Sequence, residues 1–391
     1  MKIKSIDIEG IGGIKNLHID FDDHMNFICG PNGIGKTTIL ECVAHSFSAN
    51  NTNILKRNVS SDQGTFKAII ETENGDQQSN VQIADFDPDK QSSINGLHQY
   101  SGKLLSLKVT RTFQYQPLQA VAKDTDKNVN TSYQEAKTGV NISEVKNWFV
   151  NRYLYSAHKG ALTTEQLHNL EIAKKAFSLL SEGFSFKKVL ASSNEIMVES
   201  PSGEIYYEYL SSGFKSCLSI IFGIIKDIEF RFKSPCVKAD EFDGIILIDE
   251  LELHLHPEWQ AKIAGILVDV FPKIQFITST HSPHILQNAK PNEIIALAAN
   301  EDGVYRRQLN GGSYGFQGWT VEEVLTDVMG MEDTRTDTYK EKLSEFEKAI
   351  TEENYSAAET VYQELDKLLH SENYLRKLLK LELISIREAG E

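Results

Sequence analysis

The sequence predicts an α/β fold: a mixed sheet around a phosphate-binding loop, a small antiparallel sheet with a helical arm, and a helical C-terminal region. Three observations predict it. Gly30-Pro31-Asn32-Gly33-Ile34-Gly35-Lys36-Thr37-Thr38 fits G-x-x-x-x-G-K-[ST] at every fixed position, between the apolar run Met25–Cys29 and the helical run Thr38–Ala44. Ile245–Ile248 is a wholly apolar run that ends in two acids, Asp249 and Glu250. Ile274–His281 is a further strand-like run that ends in a polar residue. Continuous apolar runs of this length suit central parallel strands buried on both faces.

Composition sets the limits. A chain of 391 residues suffices for a sizeable core. Its 40% apolar and 24% charged content is that of an ordinary folded protein. No uncharged apolar run approaches the roughly 18 residues of a membrane span, so no membrane partner is expected. Met1–Asp7 alternates like a strand and lacks the apolar block of a signal peptide. The cysteines Cys29, Cys42, Cys217 and Cys236 form no C-x-x-C pair. Reduced thiols and a cytoplasmic location are expected. The formal charge, 40 − 55 = −15, argues against coating nucleic acid with the whole surface. Local basic patches at Lys103/Lys108/Arg111, Lys174/Lys175 and Lys187/Lys188 read as solvated helix or strand surface.

In chain order, residues 2–8 and 17–21 alternate as two strands joined by Gly10-Ile11-Gly12-Gly13. After the phosphate loop and its helix, 46–64 reads as loop and 65–72 as strand. Residues 74–102 are rich in Asn, Gln, Ser, Asp and Gly, and read as a surface insertion. Leu104–Phe113 is a strand candidate, and 122–139 a second polar loop, so 74–139 is taken as polar insertion. Helices are expected over 143–155 and 164–182, the second with Leu167, Leu170, Ala173, Phe177 and Leu180 at helical spacing. Thr164 is its expected N-cap, without a capping box. Short strands near 184–190, 195–198 and 205–210 complete a helical arm and small sheet over 140–209.

The phosphate loop implies ATP as ligand. Its glycines let backbone N–H groups turn toward an anion. Lys36 is placed to reach the β- and γ-phosphates, and the Thr37 hydroxyl to hold Mg²⁺. Asn32, Gly33, Gly35 and Thr38 are the further expected contacts. Leu210-Ser211-Ser212-Gly213 opens an apolar helix, a second anion site made of backbone N–H groups and helix dipole. Asp249 is placed to hold the metal through water, and Glu250 to polarise the attacking water. His281 stands where a γ-phosphate sensor would sit.

In this order and with this wide separation, the motifs resemble an ATP-binding-cassette ATPase head of the SMC-like/RecF/OLD branch. The resemblance makes 1–310 the head. It implies that Ser211, Ser212 and Gly213 of one subunit close over ATP held by the phosphate loop of another, giving a homodimer or higher homo-oligomer. Lys215 departs from the Gln or Glu that often follows the signature. The sensor glutamine has three candidates, Gln114, Gln116 and Gln119. In Glu252-Leu253-His254-Leu255-His256-Pro257, the two histidines beside carboxylates suggest a metal site, but the resemblance favours the interface loop after the catalytic acid.

No heptad-bearing arm separates the motifs, which disfavours a chromosome-tethering protein. No nuclease domain follows them. Residues 311–391 read as a helical docking or oligomerisation region. Thr320-Val321-Glu322-Glu323 is a capping box for a short helix that stops near Gly330. Phe346 and Ile350 lie on a second helix, and Tyr355–Leu379 on a helical hairpin. Ser313–Phe316 and Gly318–Thr320 feeding this tail resemble compact ATPases of bacterial anti-phage systems, those of Septu and of retrons. That likeness implies a Mg²⁺-dependent ATPase that controls a separate effector nuclease, expected to be of the HNH type, with no nuclease activity of its own. A RecF-like DNA-binding repair ATPase is the alternative, and direct nucleic-acid contact stays open. A transporter ATPase is disfavoured by the motif spacing.

Overall fold

The computed structural model describes residues 1–109, 117–312 and 314–389. Strands β1 (Lys2–Ile11) and β2 (Ile14–Asp20) form a hairpin, and β3 (Met25–Cys29) runs into the phosphate loop and α1 (Lys36–Ser46). Then come β4 (Ala49–Thr52), β5 (Gly64–Thr72), β6 (Gly75–Ile83), β7 (Ser92–Asn95) and β8 (Leu104–Leu107). Helices α2 (Val129–Thr138), α3 (Val145–Ser156) and α4 (Thr164–Leu180) lead to the small sheet β9 (Ser185–Val189), β10 (Ile196–Ser200) and β11 (Gly203–Tyr206). The second half is α5 (Ser212–Arg231), β12 (Ile245–Ile248), α6 (Pro257–Val270), β13 (Gln275–Ser279), α7 (Pro283–Gln287), β14 (Ile294–Asn300), β15 (Gly303–Arg306) and α8 (Val321–Glu323).

The central sheet has the order β15-β14-β3-β13-β12-β8. All its pairs are parallel except β14–β15. Strands β3, β8, β12 and β13 are buried along their whole length, as central parallel strands covered on both faces are. Phe27, Ile246 and Phe276 enter one core with α3, α4 and α5. Ile28, Leu247 and Ile277 point the other way, into a second core with α1 and the antiparallel sheet β2-β1-β5-β6. The phosphate loop is thus clamped between two cores. At Gly30, φ is +140°, and a Cβ would stand 2.6 Å from the Leu297 carbonyl oxygen, so only glycine fits this close approach.

Several expectations need correction. The 74–102 segment is not a surface insertion throughout. Strand β6 pairs with β5 along its whole length and buries Ser79, Val81 and Ile83. Its polar residues occupy the solvent face of a period-two strand, which composition alone conceals. Within 46–64, β4 pairs with β7. Within 122–139 lies α2, capped by the Asn128 side chain and burying Tyr133 and Ala136. Strand β8 stops at Leu107, and the rest of that strand candidate, with Arg111, falls largely outside the described residues. Helix α4 does carry a capping box, one residue earlier than expected: Thr163 accepts from the Gln166 N–H at 3.2 Å, and the Gln166 side chain accepts from the Thr163 N–H at 3.0 Å.

The chain divides into Met1–Gly330 and Met331–Glu391, twenty residues beyond the 310/311 boundary. The reason is packing: Phe316, Val324, Val328 and Met329 belong to the main core. Thr320 and Glu323 form the predicted capping box. Among its described residues the second unit holds three helices, α9 (Asp337–Thr351), α10 (Tyr355–Leu368) and α11 (Leu375–Ala389), around Phe346, Leu365, Leu379 and Leu383.

Candidate ATP site

The carboxyl ends of β3, β12 and β13 lie side by side, and each carries one predicted motif. A crevice outside the carboxyl ends of parallel strands is where such sheets bind ligands. Helix α1 starts at Gly35 with no side-chain cap, so its first N–H groups remain for an anion. Lys36 is 6% exposed, and its Nζ donates to the Gly30 and Pro31 carbonyls, both at 2.9 Å. The ammonium is thereby folded onto the loop it would serve. Burial pushes its pKa down, opposed by Glu252, Asp249 and Glu250. Asn32 and Gly33 are exposed on the loop.

The two acids share one anchor. Ser279 Oγ donates to Asp249 Oδ1 at 2.5 Å and accepts from the Glu250 N–H at 2.7 Å. Thr37 Oγ1 lies 3.2 Å from Asp249 Oδ2. A hydroxyl and a carboxylate converging on one point are hard oxygen donors of the kind Mg²⁺ takes, so the residues fit that ion. Glu250 has φ +51°, a left-handed conformation that costs a non-glycine residue energy and recurs at functional sites.

His281 is held by a residue the sequence reading left without a role. Glu252 accepts the His281 N–H at 2.5 Å through one oxygen and the Thr280 hydroxyl at 2.7 Å through the other. Partial burial, and then the charge of Lys36, lower the His281 pKa. The imidazole is therefore biased to neutrality and keeps one N–H to donate. Ser279 and Glu252 were visible only as members of the motifs; their roles required the β12–β13 register.

The signature residues sit elsewhere. Ser211 caps α5, accepting from the Phe214 N–H at 3.2 Å, and Ser211 and Ser212 are both exposed. Gly213 lies against Trp259 and the backbone of His254 and His256. Ser216 Oγ donates to the Leu253 carbonyl at 3.3 Å. The signature is thus anchored on the loop that follows the acids. Lys215 donates to the Glu208 carbonyl at 2.9 Å, so it staples the turn before the signature. His256 caps α6, and Gln260 ties Leu255 to Ser282. Of the candidate glutamines, Gln114 and Gln116 lie outside the described residues. Gln119 is exposed and lines a cavity of about 770 Å³ with Tyr206, Glu208 and Tyr209.

The geometry can be set beside known proteins. An AAA-domain family matches residues 5–196, and an AAA-domain family described for the AbiEii toxin of a type IV toxin–antitoxin system matches 135–287. The chain is 44% identical to Septu protein PtuA of Bacillus thuringiensis, over 97% of each chain. It is 27% identical to a retron Ec83 ATPase of Escherichia coli, over 50% of this chain and 34% of the other. An SMC head solved bound to the C-terminal winged-helix domain of ScpA superposes with TM-score 0.50 and 14% identity, over 79% of this chain and 98% of that one. That likeness carries the fold alone.

Proposed function

We propose that this chain, which belongs to the Septu PtuA family of ATPases, is the ATP-binding and ATP-hydrolysing regulatory subunit of a bacterial anti-phage complex, dimerising through ATP and controlling a separate effector nuclease of the HNH type. One observation carries the proposal: Lys36, Thr37, Asp249, Glu250 and His281 converge on one crevice, while Ser211 and Ser212 stand exposed on a helix cap anchored to residues 253–259. This is the arrangement of a half-site that a second copy would complete.

In that half-site the loop amides and Lys36 hold the β- and γ-phosphates. Thr37, and Asp249 through water, would hold magnesium, which when bound would supply positive charge to offset that of the phosphate oxygens. Glu250 accepts a proton from the attacking water and orients it in line with the leaving oxygen. Neutral His281 donates its N–H toward the γ-phosphate. Ser211, Ser212 and Gly213 of the other copy cover that phosphate with the N-terminal amides of α5.

The RecF-like alternative is weakened by the basic patches. Lys103, Lys108, Lys174, Lys187 and Lys188 each have a carboxylate within 4 Å. Their charge is already compensated, which leaves little for phosphate contacts.

The test is purification of the native complex with its co-encoded partners, followed by a nuclease assay with and without ATP. Nuclease activity that resides in a partner and responds to ATP is expected. Mg²⁺-dependent cleavage of DNA or RNA by this chain alone, after exhaustive purification, would overturn the proposal.

A further inference from the structure

Thr37, Glu41 and His45 lie at successive i, i+4 positions down α1. Thr37 opens into the site, while Glu41 and His45 are buried. Glu41 Oε1 takes the Lys108 ammonium at 2.5 Å, and both side chains are largely buried, at 11% and 17% exposure. The other oxygen, Oε2, is buried without a hydrogen bond, 3.6 Å from His45 Nδ1. That nitrogen already bonds the Glu41 carbonyl at 2.7 Å.

Lys108 directly follows β8. In the parallel register of β8 and β12, Leu107 pairs with Ile248, and the Asp249 N–H donates to the Leu107 carbonyl at 2.9 Å. Lys108 is therefore the cross-strand neighbour of Asp249. Its stem is accommodated on purpose-shaped ground: at Gly139, φ is +91°, and a Cβ would stand 2.7 Å from Lys108 Cγ. The charges interact. Burial raises the Glu41 pKa, Lys108 lowers it, and Asp249 raises it.

A lysine on a flexible stem beside a metal-holding carboxylate is a competitor for it. We propose that Glu41 is a positioning residue for the metal site: it pairs with Lys108 and holds that ammonium away from Asp249. The inference rests on the assignment of Thr37 and Asp249 as the magnesium-holding pair. It separates two otherwise equivalent substitutions. Glu41→Gln leaves an uncompensated cation next to Asp249. Lys108→Met removes the cation altogether.

The test reads binding, not turnover: a fluorescent ATP analogue at fixed concentration, titrated with MgCl₂ on the full chain, with EDTA as baseline. Glu41→Gln is expected to raise the Mg²⁺ midpoint on the order of tenfold or more, from one unbalanced positive charge acting on the ion at an effective dielectric near 20. Lys108→Met is expected to leave the midpoint at or below that of the parent. The double variant should lie within about threefold of the parent, since it removes both charges of the pair. A rise in Lys108→Met, or a double variant with the summed defects of both, would mean an ordinary structural ion pair and overturn the inference. Should Glu41→Gln not fold, comparing the double variant with the parent decides the matter, and a midpoint more than about threefold above the parent overturns the inference. A parent protein whose analogue binding ignores Mg²⁺ would instead refute the metal assignment.

Discussion

Glu250→Gln is expected to lower ATP turnover by about 100- to 10,000-fold while leaving nucleotide affinity and fold in place. Three main-chain features help to set residue 250. Its N–H donates to Ser279 Oγ at 2.7 Å, its carbonyl accepts the Leu253 N–H at 3.0 Å, and its φ is +51°. Glutamine keeps all three and differs from glutamate by one group of similar size. The stability change should then stay within about 0.5 kcal/mol. What disappears is the proton acceptor, and the loss corresponds to about 2.7–5.4 kcal/mol in the barrier. Phosphate release at saturating ATP measures turnover, and equilibrium binding of a fluorescent analogue measures affinity. Size-exclusion chromatography with light scattering should show an ATP-dependent dimer that persists in the variant. Turnover within about threefold of the parent would mean that Glu250 is not the base. Affinity that fell together with turnover would assign Glu250 to the metal instead.

Gly30→Ala should destabilise the chain by more than about 1 kcal/mol and weaken nucleotide binding, because the added Cβ meets the Leu297 carbonyl at 2.6 Å; thermal melting and analogue binding check both. His45→Gln tests a pH effect. Burial holds His45 neutral with a pKa lowered to about 3, its nitrogens engaged by the Glu41 carbonyl and Thr52 Oγ1. A lowered histidine pKa means that the unfolded chain binds the proton first, so this stability is complete above about pH 6.5 and is lost as the pH falls toward 3. At pH 5 the loss is about 2 kcal/mol, and the variant should show a correspondingly flatter melting temperature between pH 7 and 5. Arg152→Met should destabilise by about 3–5 kcal/mol in chemical denaturation, because it strips the buried Glu229 of its partner at 2.7 Å.

The sequence carried the site better than the periphery, for a physical reason. The phosphate loop, the acids after β12 and His281 after β13 are local patterns in which one strand, one turn and a few polar groups sit within ten residues. Strand β6 and helix α2 were missed because their polar faces dominate their composition; Val81, Ile83, Tyr133 and Ala136 carry the burial but are few among Asn, Gln, Ser and Lys. The N-cap of α4 was placed at Thr164, one residue late, and its capping box was missed, because two threonines stand together. Long-range relations were not legible at all. Ser279 serves Asp249 thirty residues away, and Glu252 serves Thr280 and His281 across the same two strands. Such partners depend on the β12–β13 register, which no local pattern specifies.

The register also gives the site its economy. Ser279 donates to Asp249 and takes the Glu250 N–H, so one hydroxyl fixes a candidate metal ligand and a candidate base together. The next residue of that strand, Thr280, meets Glu252, which in turn grips the His281 backbone. Ser282 then bonds Gln260, whose amide holds Leu255 in the loop beneath Gly213. A displacement of His281 would therefore have a route to the signature end of α5, hydrogen-bonded as far as Leu255 and carried on by packing against Gly213. The opposite end of α5 is fastened differently: Asp227, Glu229 and Arg231 are buried in ion pairs with Lys127, Arg152 and Glu135. An exposed N-terminus bonded to the loop after the acids, and a C-terminal half locked to α2 and α3, place α5 between the candidate site and the helical arm. Movement imposed at Ser211 would be carried into the helical arm rather than absorbed, because breaking a buried ion pair costs more than moving the helix with its partners.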